Sequence, residues 1–353
     1  MTFAGLTHSN GVSRVAIAIA NEIVDRNKGE VTLIPLFKYD KTVLEYVSPR
    51  VKVKPVFRTY FRGLAKVLLL IPKKILYKII IRDEYDIEIG FQYEVPTYII
   101  SGSTNNKALH IGWMHTYDDG LKYRSCYEVM DKMVCVSKCG ADRLAEELDK
   151  SVPVEYCYNP IDDKRIVEQG NEKIDLKKSE GIQFVSVGRM SPEKGYSRLL
   201  DIVARLKEEG FLFNLWLIGQ GPSFEELIEK SKRLEIDDTV LFLGTQQNPH
   251  KYTSKADIFV CSSFSEGYST ACTEAVILGV PVISTNCSGG EEIVNEAECG
   301  LLTGMEDDSL YEGMRKVLEN PSLVKEWKEV LVKTKDRFSQ EKRIKKLFKI
   351  LDL

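Results

Sequence analysis

The chain has 353 residues, enough for two domains of ordinary size, and its 43% hydrophobic and 29% charged residues are those of a soluble globular protein. Its net charge of -3 gives no reason to expect a nucleic-acid partner. The charge is uneven, because residues 1–160 carry 22 Lys and Arg against 19 Asp and Glu, and the remainder is acidic.

In chain order, Met1 to Gly5 precede a loop-like LTHSNGVS. That makes the first strand short or places the true start upstream. A helix is expected over Val12–Arg26. Strands follow at Val31–Leu36, Asp86–Gly90, Ala108–Gly112, Met133–Val136 and Val154–Cys157, with helices between them. Residues 50–82 hold ten cations and no acid, with aromatic and aliphatic residues between the charges. A helix of this kind can lie on an anionic membrane surface. The bland alternative is a buried crossover helix with a solvated basic face, broken at Pro72. The apolar run Val67–Pro72 is far too short to span a bilayer.

The stretch 162–181 is polar, charged and without periodicity, and reads as a linker. Beyond it the alternation is cleaner. Strands are expected at Ile182–Val187, Asn214–Ile218, Val240–Leu243, Ile258–Val260, Val282–Ser284 and Gly300–Leu302. Helices include Tyr196–Glu209, Ser223–Arg233 and an amphipathic one from Gln340 to Leu353. This is α/β architecture with two doubly wound, Rossmann-like domains facing a central cleft. The expected boundaries are 1–165, 181–338, and a C-terminal helix, 339–353, that returns to the first domain.

Eight cysteines without a C-x-x-C pair, and no secretory signal at the start, read as reduced thiols of a cytoplasmic protein. Four scattered histidines are too few for a metal cluster. Asp118–Asp119 and Asp237–Asp238 read as solvated loop charges rather than metal ligands.

Ligands of doubly wound sheets bind at the carboxyl ends of strands. The first loop to consider is VGRMSPEKGY, residues 187–196. It places Arg189 and Lys194 five residues apart ahead of a helix. Arginine grips phosphate bidentately and lysine supplies a mobile point charge, so a diphosphate matches, although two solvated cations near a turn would look the same. The second is SSFSEGYSTACTEAVILGVPVIST, residues 262–285. Gly267 allows a tight turn, and Ser269 or Thr270 caps a helix whose first amides form an anion site. Glu266 lies in the loop, and Glu274 lies about 6 Å along the helix from its start.

These two stretches, with NGVSR at 10–14, NPID at 159–162 and GQGP at 219–222, resemble family 4 retaining glycosyltransferases of the GT-B fold. The resemblance covers essentially the whole chain and is most specific from Ile182 to Leu302. It implies a metal-independent transfer of a hexose or N-acetylhexosamine from a nucleotide-diphosphate sugar, UDP-linked by family frequency. The acceptor would be a glycan or a polyprenyl-linked glycan of surface polysaccharide synthesis. The nucleotide sugar is a substrate, and no separate cofactor is implied. Arg189 and Lys194 would bind the diphosphate. Glu266 would contact the transferred sugar, helped by the backbone of Tyr268, Ser269 and Thr270. Glu274 would hold the ribose, and Gly11 would approach the phosphates. The base would lie near Phe242 to Gln246. His115, in GWMHTYDDG, would face the reacting sugar, and His8 has a weaker claim to the same neighbourhood. Three alternatives stay open: a GT-B sugar-nucleotide epimerase, a non-catalytic partner subunit, and an oxidoreductase. The last lacks a G-x-G-x-x-G after any early strand.

Overall fold

Short apolar runs that alternate with longer amphipathic ones must pair as parallel strands, because only a crossover helix can return the chain to the same sheet edge. The computed structural model shows this twice over. It describes residues 1–7, 11–57, 61–116, 122–176, 180–287 and 289–353. The chain divides into one unit of Met1–Ile161 with Glu341–Leu353, and a second of Asp162–Gln340.

The first unit holds β1 (Thr2–Leu6), β2 (Thr32–Tyr39), β3 (Lys52–Val53), β4 (Ile87–Gly90), β5 (Leu109–Met114), β6 (Lys132–Cys135) and β7 (Val154–Tyr156). They form one sheet in the order β3-β2-β1-β4-β5-β6-β7, and all pairs are parallel. The short first strand is therefore central, flanked by β2 and β4. Its helices are α1 (Gly11–Asp25), α2 (Leu64–Leu68), α3 (Lys73–Ile80), α4 (Val95–Ile100), α5 (Arg124–Tyr127) and α6 (Lys138–Glu147). Helix α1 buries Val15, Ala16, Ile19, Ala20 and Ile23, the three-and-four spacing of a single apolar stripe.

The basic segment breaks where proline predicts. Pro72 is the N-cap of α3, and α2 precedes it. Leu64, Leu68, Leu76, Tyr77 and Ile80 enter the core of the unit. Val67, Leu70, Ile75 and Ile79 remain exposed, beside exposed Lys66, Lys74 and Lys78.

The second unit holds β8 (Ile182–Val187), β9 (Phe213–Ile218), β10 (Val240–Gly244), β11 (Ile258–Cys261), β12 (Val282–Thr285) and β13 (Leu301–Thr303). The order is β10-β9-β8-β11-β12-β13, again all parallel. Here the stretch expected to be a linker departs from expectation. Residues 163–170 form helix α7 (Asp163–Gly170), capped by the Asp162 carboxylate, which accepts from the Arg165 amide at 3.0 Å. The helices α8 (Tyr196–Glu208), α9 (Phe224–Arg233), α10 (His250–Thr253), α11 (Thr270–Ile277), α12 (Gly290–Ala297), α13 (Asp307–Glu319) and α14 (Ser322–Thr334) follow.

The last helix, α15 (Gln340–Leu351), lies from Glu341 onward in the first unit. Its buried Arg343 donates to the Asn159 carbonyl at 3.3 Å, and the Lys132 ammonium reaches the Ile350 carbonyl at 2.9 Å. No helix among the described residues is long and apolar enough to cross a membrane.

Helix α4 lies so close to β4 that a Cβ on Gly90 would sit 2.8 Å from the Thr97 Cα, which is backbone and cannot swing away. Gly90→Ala is expected to destabilise the first unit by about 1–3 kcal/mol, seen as a lower thermal midpoint. An unchanged midpoint would show that the two elements part easily.

Candidate functional site

In each sheet the strand order reverses beside the first strand. Loops leave the carboxyl edge in opposite directions at such a point and open a crevice between them. In the second unit the reversal falls between β8 and β11, and the loops that leave there are the two singled out by sequence.

Their approach depends on backbone contact. Gly195 has φ +67°, and a Cβ there would lie 2.1 Å from the Ser262 carbonyl. The Ser262 hydroxyl donates to the Lys194 carbonyl at 2.9 Å, and the Phe264 amide to the Glu193 carbonyl at 2.8 Å. From behind, the buried Arg198 guanidinium donates to the carbonyls of Ser262, Ser263 and Met305. Thr285 Oγ1 donates to the Ser263 carbonyl at 2.6 Å. The GQGP loop closes the other side, since a Cβ on Gly221 would lie 2.3 Å from the Met190 carbonyl.

This scaffold brings Lys194 and Glu266 into direct contact as a hydrogen-bonded ion pair, their side chains 25% and 14% exposed. The Ser263 hydroxyl donates to the same Glu266 oxygen at 3.0 Å. Burial would lower the Lys194 ammonium, but the Glu266 charge and hydrogen bond outweigh it and leave it above its ordinary value. Burial raises the Glu266 carboxyl as well, against the pull of Lys194. The two shifts share a direction for different reasons. The lysine is held charged by contact, and the carboxylate is costly to keep out of water.

Ser269 caps α11, its hydroxyl accepting from the Cys272 amide at 3.3 Å. The remaining first-turn amides, Thr270 among them, have no intrahelical acceptor and form the positive end of the helix. The Tyr268 side chain is buried and donates to Glu296 at 3.2 Å. Glu274 sits one turn along, its carboxylate 3.3 Å from His250 Nε2. Arg189 is exposed, and its guanidinium makes no hydrogen bond or ion pair among the described residues. Sequence reasoning missed Ser263, Arg198 and His250. Only the second serine of SSF gave any signal. Asp238 is paired with Lys207 at 2.5 Å, as a solvated turn charge would be.

In the first unit, Gly11 opens α1, and a Cβ there would meet nothing within 4 Å among the described residues, so packing within the chain does not demand glycine. His115 follows β5. Its ring stands edge-on to Phe91 at 4.7 Å, and Nε2 is shielded from water without a hydrogen-bond partner among the described residues. Burial lowers its pKa to about 3, so the imidazole is neutral. His8, Asn10 and the Asp118–Asp119 pair lie outside the described residues.

Residues 168–334 match the family Glycosyl transferases group 1. The N-acetylgalactosamine-N,N'-diacetylbacillosaminyl-diphospho-undecaprenol 4-alpha-N-acetylgalactosaminyltransferase of Campylobacter jejuni is 33% identical over 176 residues, 49% of this chain and 47% of that relative. The chain thus spans about half the length of that relative. The lipopolysaccharide core biosynthesis glycosyltransferase LpsE of Rhizobium meliloti is 24% identical over 313 residues, covering 88% of this chain and 84% of LpsE. Among solved structures, HepE of Anabaena in complex with UDP superposes with a TM-score of 0.77 at 16% identity over 99% of both chains. The fold is GT-B. Its second unit, the one that carries the family match, is also the one whose loops meet in the Lys194–Glu266 pair.

Within this GT-B chain His115 gives a test of its burial. Its folded-state pKa of about 3 lies below the ordinary 6.5, so the folded protein resists protonation between those values. Stability is retained above pH 6.5 and lost as pH falls toward 3. The wild type is expected to lose more stability than His115→Asn across that window and to match it above. Equal acid sensitivity would show that the imidazole is open to water.

Proposed function

We propose that the chain is a glycosyltransferase that takes a hexosyl or N-acetylhexosaminyl group from a nucleotide-diphosphate sugar and keeps its anomeric configuration, in the manner of family 4. The observation that carries this reading is the Lys194–Glu266 pair at the β8–β11 reversal, beside the capped start of α11. A diphosphate offers Lys194 a stronger partner, and a sugar hydroxyl can then donate to the released Glu266. Arg189 and the first amides of α11 would complete the phosphate cradle.

The leaving nucleoside diphosphate gathers negative charge as the glycosidic bond breaks. Lys194, Arg189 and the helix amides stabilise that charge from fixed positions. Glu266 is engaged by Ser263 and Lys194, which suits holding a hydroxyl better than attacking the anomeric carbon. The acceptor would therefore attack from the face the diphosphate leaves, with a phosphate oxygen taking its proton. No metal is required in this scheme. Neutral His115, with its shielded Nε2, is suited to a hydrogen bond with the reacting sugar.

UDP is the favoured nucleotide, in line with HepE, which was solved with it. The named relatives act in lipopolysaccharide synthesis or on a diphospho-undecaprenol-linked sugar, which supports a surface-glycan acceptor carried on a lipid. The exposed aliphatic and cationic side chains of α2 and α3 support a peripheral position on the anionic inner face of the cell membrane.

With EDTA present throughout, the protein is expected to bind one of UDP, GDP and ADP tightly and to hydrolyse the matching sugar donor slowly. Lys194→Ala should lower turnover about a hundredfold. Absence of binding to all three would overturn the reading, and a glycosyl adduct trapped on Glu266 would overturn the front-face route. Charge reversal at Lys73, Lys74 and Lys78 should abolish binding to vesicles containing phosphatidylglycerol. Undiminished binding would remove the membrane face from the account.

A further inference from the structure

Glu274 does not stand alone on α11. His250 Nε2 lies 3.3 Å from its Oε2, with the two side chains 11% and 13% exposed. That nitrogen is buried and makes no aligned hydrogen bond. The opposite ring nitrogen, Nδ1, lies 2.9 Å from Gln169 Oε1. Gln169 belongs to α7, within the stretch that sequence alone assigns to a linker.

The corner where these residues meet is tied independently of Glu274. The Asn248 side chain donates to the Gln169 carbonyl at 2.9 Å, and its Oδ1 accepts from the His250 amide at 3.0 Å. The Ser254 hydroxyl donates to the Gly170 carbonyl at 2.6 Å. A Cβ on Gly170 would lie 2.4 Å from the Leu278 side chain, just past the end of α11. His250 is therefore a fixed post beside a helical carboxylate.

The chemistry of the ring sets what it can do. A carboxylate facing Nε2 calls for a hydrogen on that nitrogen. Gln169 permits this in either protonation state. Its oxygen accepts from Nδ1–H when the ring is charged, and its amide, turned over, donates to bare Nδ1 when the ring is neutral. In both cases Nε2 carries the hydrogen and lies 3.3 Å from Glu274 Oε2, a close polar contact rather than an aligned hydrogen bond.

We propose that His250, backed by Gln169, is a positioning residue that fixes the Glu274 carboxylate for the paired hydroxyls of the donor's ribose. The inference rests on the donor reading above and adds a requirement to it. The chain must recognise a cis-diol, and that recognition must pass through a histidine on α10 and a glutamine on α7. A histidine that only filled space would affect any nucleotide equally.

The test compares the affinity of the full-length protein for UDP and for its 2′,3′-dideoxy analogue. The wild type should prefer UDP. His250→Ala should lose about tenfold in UDP affinity while binding the dideoxy analogue as the wild type does. His250→Gln keeps an amide N–H toward Glu274 and should recover most of the preference, which also guards against a folding defect in the alanine variant. Equal losses for both nucleotides, or none for either, would overturn the positioning role. A wild type that binds both alike would overturn the ribose assignment of Glu274 and this inference with it. A wild type that binds neither would reject the donor reading itself.

Discussion

A lysine and a glutamate drawn out of water must meet each other or pay heavily in lost hydration, and the second unit is arranged so that they meet. Lys194 and Glu266 are 72 positions apart, yet the parallel order of β8 beside β11 delivers both to the same edge of the sheet. The other contacts of the site serve that meeting. Gly195 lets the two backbones touch, Arg198 gathers three carbonyls, and Thr285 holds the loop from β12. In the proposed function the pair is exchangeable: an anion would replace the carboxylate on the lysine, and a hydroxyl would replace the lysine on the carboxylate.

The same sheet logic operates in the first unit, where the reversal falls between β1 and β4. The loop after β1 leads to Gly11, and Phe91, directly after β4, supports the ring of His115. A neutral imidazole whose buried nitrogen has no partner among the described residues is costly to maintain and is well suited to a single directional hydrogen bond. Along α2 and α3 the chain makes a different choice. It leaves aliphatic side chains in water between lysines instead of covering them.

Much of this was legible in the sequence because it depends on local spacing. Strand β8 falls on the expected residues, Ser269 caps α11 as its hydroxyl suggests, and Pro72 divides the basic segment. What escaped has physical reasons. Helix α7 buries only Ile166 and Gly170, too few for a visible apolar period. Strand β3 is two residues long, shorter than any alternating pattern. His250 carries no motif of its own, and its meaning comes from a neighbour 24 positions later and a glutamine 81 positions earlier. Arg198 carries no motif in the sequence, but the structure buries it against the site loops.

The most direct measurement is a crystal structure of the protein with an unhydrolysed UDP-sugar. The account predicts that Lys194 Nζ leaves Glu266 for the diphosphate, that the Glu266 carboxylate accepts from a sugar hydroxyl, and that the phosphates lie at the start of α11. A donor bound elsewhere, with Lys194 still on Glu266, would contradict it.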